Sequence, residues 1–91
     1  MSVSEEHLPE RGRFQALVDG QRCVCDYRLA GDVMQLTHTE VPTVLQGRGI
    51  AAQLVAAALA HAQANALRVL PLCSYVQTYL RRHPLPPEML A

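Results

Sequence analysis

Gly47-Arg48-Gly49 stands directly ahead of a run of Ala, Leu and Val that extends to Ala62. Glycine is a poor helix former, and the usual N-cap is Ser, Thr, Asp or Asn. Something other than helix propensity therefore selects these residues. The first turn of any helix has backbone N–H groups without internal partners, and the macrodipole adds partial positive charge there. Glycines permit unusual dihedrals and let a ligand approach the backbone closely. The combination is a cradle for a phosphate or pyrophosphate, to which Arg48 adds a charge and donors. Two glycines can also merely shape a tight loop. The Gly-Lys-Ser/Thr end of a nucleotide P-loop is absent, and so is the third glycine of a dinucleotide fingerprint.

Other residues with chemical potential are scattered. Cys73 stands where a predicted strand hands over to a predicted helix. A thiolate there is favoured by the helix dipole and is a competent nucleophile. A free cysteine is equally a small buried hydrophobe. His38 lies on a predicted strand and has the pKa range of a base at neutral pH. It also reads as a strand histidine hydrogen-bonded in a sheet. Tyr75 and Tyr79 are four apart on one helical face, which suits core packing. Cys23 and Cys25 are two apart on a strand, so their side chains run parallel and do not converge on a disulfide. Two thiols without further ligands are not a zinc site, and no metal site is expected. His7, His61 and His83 read as surface or end-of-helix residues.

The elements that position these residues follow from patterning. Residues 1–12 are polar, with Pro9 and Gly12, and are expected to form a frayed lead-in. Residues 13–18 alternate and end at Asp19-Gly20, a strong hairpin signal because both turn positions need positive φ. Residues 21–29 place Cys23, Cys25, Tyr27 and Leu29 on one face. After the turn at 30–32, residues 33–41 form a third strand, with Met34, Leu36, His38 and Glu40 expected on one side. Pro42 stops that strand. From Gly49 the pattern turns helical, with Ile50, Leu54, Val55, Ala58, Leu59 and Ala62 at three- and four-residue steps. Asn65 is expected as a left-handed C-terminal cap. Residues 67–72 form a fourth strand, parallel to the third through a right-handed crossover. Residues 74–82 form a second helix with Ser74 as its N-cap, ended by Pro84, Pro86 and Pro87. The fold class is α/β (α+β): an antiparallel three-stranded meander, a parallel βα unit and a C-terminal helix.

Ninety-one residues, about half of them apolar, make one globular domain spanning 1–91. The formal net charge is zero, which gives no electrostatic reason to expect nucleic acid or an anionic membrane as partner. All eight basic residues are Arg, so no lysine can form a Schiff base. Three cysteines, an odd count, and no signal peptide argue for a reducing, cytoplasmic setting. The longest apolar stretch is too short to span a bilayer.

The string Gln46-Gly47-Arg48-Gly49-Ile50-Ala51 resembles the Gln/Arg-x-x-Gly-x-Gly/Ala motif of the GNAT superfamily of N-acetyltransferases. Pro71-Leu72-Cys73-Ser74-Tyr75, Tyr79, the Arg82-His83-Pro84 ending and the upstream Leu36–Pro42 segment resemble a branch of small, single-domain GNAT-like proteins. The resemblance covers residues 13 to 84 and implies acetyl-coenzyme A as cofactor. Its pyrophosphate is expected on the backbone of Gly47 to Ala51, with Gln46, Val41 and Ser74 completing the cofactor-binding set. The pantetheine arm is expected beside Thr39 to Val41, between the splayed third and fourth strands. Cys73, His38 and Tyr79 are the implied catalytic residues: a thiol that accepts the acetyl group, a base that serves it, and an acid for the departing thiolate. Direct attack by an amine is the other route. The N-terminal helices and terminal hairpin of larger GNAT enzymes have no counterpart here, so the amine acceptor stays unnamed. Expected partners are that amine, with no nucleic acid and no membrane, and a monomer or weak homodimer. A non-catalytic acyl-coenzyme A-binding or sensing module is the alternative. A thiol redox protein is a third reading, against which the lack of Cys-x-x-Cys counts.

Overall fold

The computed structural model describes residues 3–91. Asp19 and Gly20 both take positive φ, 52° and 74°, as the Asp-Gly signal requires. They join β2 (Arg13–Val18) to β3 (Gln21–Ala30), which pair antiparallel with Val18 opposite Gln21. Gly31 and Asp32 then turn the chain into β4 (Val33–Glu40). A single turn of 3-10 helix (Thr43–Leu45) buries Leu45 and leads to α1 (Ile50–Ala64). β5 (Arg68–Pro71) returns parallel to β4, and α2 (Ser74–Arg82) follows. The mixed α/β class is as the patterning implies.

The expected lead-in is corrected. Glu6–Leu8 forms a strand, β1, paired antiparallel to β2, and the five strands lie in the order β1-β2-β3-β4-β5. Met1 and Ser2 lie outside the described residues. What secures β1 is aromatic packing. The His7 ring stacks on Phe14 with centroids 4.2 Å apart and planes within 3°, meets the edge of His61 on α1 at 4.4 Å, and hydrogen-bonds the Tyr27 hydroxyl. Upstream, the Val3 N–H donates to Gln53 Oε1 on α1 at 3.2 Å.

Burial depresses the His7 pKa below its ordinary 6.5, with His61 adding to the depression and Glu10 opposing it. The folded state therefore binds fewer protons than the unfolded state once pH falls through 6.5. The His7 contribution is complete above that value and is lost as pH falls through the lower folded pKa. We expect the melting temperature to drop between pH 7 and pH 5.5, and to drop less in His61→Gln. Thermal melts by circular dichroism at the two pH values check this; equal slopes in both proteins would refute the coupling.

All six predicted α1 positions, Ile50, Leu54, Val55, Ala58, Leu59 and Ala62, are buried, against Phe14, Ala16, Cys23, Cys25, Met34 and Leu36 of the sheet. Small Ala side chains let the helix lie close to the strands. Two helix ends differ from expectation. Asn65 has φ −110° and Ala66, at 55°, takes the left-handed conformation instead. Asn65 caps through its side chain, Nδ2 donating to the His61 carbonyl at 2.8 Å. At α2, Cys73 is the N-cap and Ser74 is the first helical residue.

A fourth correction bears on the site. Asp26 pairs with His38, but Tyr27 pairs with Leu36. Thr37 is thus an unpaired extra residue, a β-bulge, its hydroxyl donating to the Asp26 carbonyl at 3.3 Å. The bulge reverses the alternation. Met34 and Leu36 face the helices, but His38 and Glu40 swing to the opposite face and Thr39 turns inward, opposite the buried Cys25. Among the described residues no helix is long and apolar enough to cross a membrane.

Candidate functional site

Where β4 and β5 stop pairing, a gap opens. The Leu36 carbonyl accepts from both the Leu72 and Cys73 N–H groups at 3.0 Å, and the ladder ends there. β4 continues through Thr39 to Glu40, still paired with β3 but with no strand on its other side. Beyond it, Gly47 and Gly49 have φ of 85° and 80°. Only glycine holds such angles at little cost. Gly49 is the N-cap of α1, and no side chain caps the helix. No acidic residue lies in the first turn either, although one would be stabilised there. The leading N–H groups of α1 are thus left for something else.

They border a cavity of about 480 Å³. Its walls come from the end of β4 (Thr39), Val41 just beyond it, the turn (Leu45, Gln46, Gly47, Gly49), the start of α1 (Ile50, Ala51) and Tyr75 of α2. A Cβ placed on either glycine would meet no atom within 4 Å, so these glycines serve backbone shape and open space, not close packing. Gln46 Nε2 donates to the Val41 carbonyl at 3.1 Å and braces the turn against the strand end. A larger, more open hollow of about 560 Å³ lies by the bulge, around Arg11, Asp26 and Thr37. It shares no residue with the glycine turn and is bordered by no α-helix start, only by a single 3-10 turn that begins at Pro9, so the smaller cavity is the better candidate.

The remaining sequence candidates divide. Arg48 is not among the cavity-lining residues; its Nη1 lies 3.3 Å from Asp19 Oδ2 in the β2–β3 turn, and both side chains are exposed. Ser74 is exposed and outside the cavity wall. Tyr75 and Tyr79 are placed differently from expectation. Tyr75 lines the cavity, while Tyr79 packs against the core and meets His83 at a tilt, with centroids 4.5 Å apart. The two lie on one helical face about one turn apart, and Tyr75, in the first turn of α2, is the one at the opening.

Cys73 is half-buried at the gap, with Sγ 3.5 Å from Thr39 Oγ1. Burial pushes its pKa up, but the hydrogen bond with Thr39 and those from the backbone at Val76 and Tyr75 outweigh it, and the net shift is downward. Cys25, wholly buried on the other side of Thr39, goes the other way: desolvation pushes it up to about 11. Of these two thiols, Cys73 is the one shifted toward the nucleophilic thiolate.

His38 is not brought to Cys73. It is exposed on the far face, its Nε2 3.0 Å from Glu40 Oε1. The expected Cys–His contact is absent because the bulge at Thr37 turns His38 outward. Sequence reasoning gave Thr39 only a backbone part and Tyr75 only a packing one, and it missed their side chains at the gap. The signal for Thr39 was the bulge, which composition does not mark. For Tyr75 it was adjacency to Cys73 at a helix start.

A family model described as GCN5-related N-acetyl-transferase matches residues 13–88. Protein NATD1 of Mus musculus is 38% identical over 87 residues, covering 92% of this chain and 79% of that protein. Protein NATD1 of Xenopus tropicalis is 36% identical over 88 residues, covering 93% and 81%. In fold, the chain is similar to the solution structure of a GCN5-like protein from Staphylococcus aureus, with a TM-score of 0.71 at 23% identity over 89% of this chain and 80% of that one. The matched segment runs from β2 to beyond α2 and contains the glycine turn, the gap and Cys73: the chain belongs to the GCN5-related N-acetyltransferase family.

Proposed function

We propose that this protein binds acetyl-coenzyme A at the glycine turn and transfers its acetyl group to an amine. The observation that carries the reading is the cavity between the free end of β4 and the uncapped start of α1. Backbone N–H groups from Gly47 to Ala51 suit a pyrophosphate, since they donate without a bulky side chain in the way. The stretch from Thr39 to Val41, past the last pairing with β5, suits the amide-bearing arm of the donor, which can hydrogen-bond to its open side as an added strand. The donor substrate supplies an acetyl group activated as a thioester. Of the chain's own groups, Cys73 is the one suited to accept it. Its proton would leave to solvent, and its sulfur would bond to the acetyl carbon as that carbon's bond to the donor sulfur breaks. The donor would depart as the free thiol, and the amine would then take the acetyl group and release Cys73. His38 has no part in that step, because it faces away. Direct attack by the amine is the competing route and makes Cys73 a packing residue.

The testing experiment is a thermal shift. Coenzyme A at one hundred times its dissociation constant should stabilise the fold by about 2.7 kcal/mol. For a domain this small that raises the melting temperature by roughly 10 °C or more. Gly49→Val should abolish the shift. Gly31→Ala is the control, because it places a Cβ at a comparable φ of 62° far from the cavity; it should keep the shift. Loss in both would point to general strain, and survival in Gly49→Val would place the phosphate site elsewhere. Release of free thiol from acetyl-coenzyme A across a panel of amines separates a transferase from a module that only binds.

A further inference from the structure

We propose that Thr39, and not a histidine, is the residue that positions the Cys73 sulfur and holds it as thiolate. The inference rests on the reading that Cys73 is the working thiol, and it follows from the bulge. Without the extra residue at Thr37, His38 would keep the phase of Met34 and Leu36 and would face the helices. With it, Thr39 occupies that place, opposite Cys25 in the pairing and 3.5 Å from Cys73 Sγ. The backbone is fixed on both sides of this contact. Leu36, three residues earlier on β4, accepts the Cys73 N–H, and the Cys73 carbonyl accepts the Gln77 N–H at 3.0 Å as α2 begins. A β-branched side chain is stiff at χ1, so the Thr39 hydroxyl has little freedom to leave.

The hydroxyl can serve both protonation states. A neutral Cys73 donates S–H to Thr39 Oγ1. After the proton is lost to solvent, Thr39 donates O–H to the sulfur, and the hydrogen bond to the charged form is the stronger. Few other groups share the space. Cys25 faces it from β3 and Tyr75 from α2, and burial favours the neutral form of each. The first turn of α1 offers Ile50, Ala51, Ala52 and Gln53, none of which titrates. His38, Glu40 and Asp26 lie on the other face. Among side chains, the burden of stabilising charge on Cys73 thus falls on one neutral hydroxyl.

The test follows the rate of Cys73 alkylation by iodoacetamide against pH, in the full chain without donor, by peptide mass spectrometry. Thr39→Val should move the midpoint upward by roughly one pH unit, so that alkylation at pH 7 slows about tenfold. Thr39→Ser should restore the wild-type midpoint. His38→Ala should leave it unmoved. If Thr39→Val does not fold, Thr39→Ala serves in its place, with folding checked by circular dichroism. An unmoved midpoint in the folded hydroxyl-less variant, or a larger shift in His38→Ala, overturns the proposal. Because no acetyl donor is present, these outcomes are independent of acetyl transfer. A protein that shows the Thr39 effect but never acquires an acetyl group would leave Thr39 as the residue that sets the thiol and overturn the reading of Cys73 as acyl acceptor.

Discussion

Incubated with acetyl-coenzyme A, the wild-type protein should gain the mass of one acetyl group, and Cys73→Ser should gain none. The expected effect is all or nothing, because the thiol is the bonding atom in the proposed adduct. The chain contains no lysine, so only the terminal amine can compete. Hydroxylamine should remove the adduct, since it cleaves thioesters and spares amides. Cys23→Ser and Cys25→Ser, where they fold, should retain it. Both side chains are wholly buried, and Cys25 is pushed up to about 11 by desolvation, so neither presents a thiolate to the donor. If Cys73→Ala transfers acetyl to an amine at the wild-type rate, the amine attacks directly and Cys73 only packs. Intact-mass spectrometry on the wild type and the three serine variants, with the rate of amine acetylation by Cys73→Ala, decides between these outcomes.

Gly12→Ala should cost more stability than any other glycine substitution in the chain. Gly12 has φ 61°, where an L residue costs about 1–2 kcal/mol. A Cβ there would also overlap the Tyr27 carbonyl, and that backbone cannot move freely: the Tyr27 N–H donates to the Gly12 carbonyl at 2.8 Å. Overpacking against fixed atoms adds about 1–3 kcal/mol. The sum, roughly 3 kcal/mol or more, lowers the melting temperature by on the order of 15 °C. Gly20→Ala carries a similar φ of 74° with no atom within 4 Å of the new Cβ, and should cost only about 1–2 kcal/mol. Calorimetry or circular dichroism on the two variants measures the difference. Equal losses would mean that the clash is relieved and only the dihedral matters.

The parts of the fold that were legible are those written in periodicity. Asp19-Gly20 marked its hairpin, Ile50 to Ala62 marked the buried stripe of α1, and Gln46 to Ala51 marked the turn that borders the cavity. β1 escaped because three residues are too few to show a period, and because its anchor is a tertiary stack of His7 on Phe14. The face of His38 escaped because a bulge is an event in the pairing of two strands. Thr37 looks like any other strand threonine until its neighbours skip it. The consequence is local but decisive for chemistry, since a single inserted residue exchanged an imidazole for a hydroxyl beside Cys73.

The pairing of Arg48 with Asp19 means that the glycine turn arrives with its own counter-ion. The contact is exposed, and such pairs contribute about 0–1 kcal/mol. An incoming pyrophosphate that draws on Arg48 would have to take it from Asp19, so the guanidinium's net contribution is a difference between two partners. Affinity should then depend on added salt less steeply than one free arginine would give, because Asp19 already screens part of that charge. Arg48 is on loan to the hairpin until a better anion calls for it.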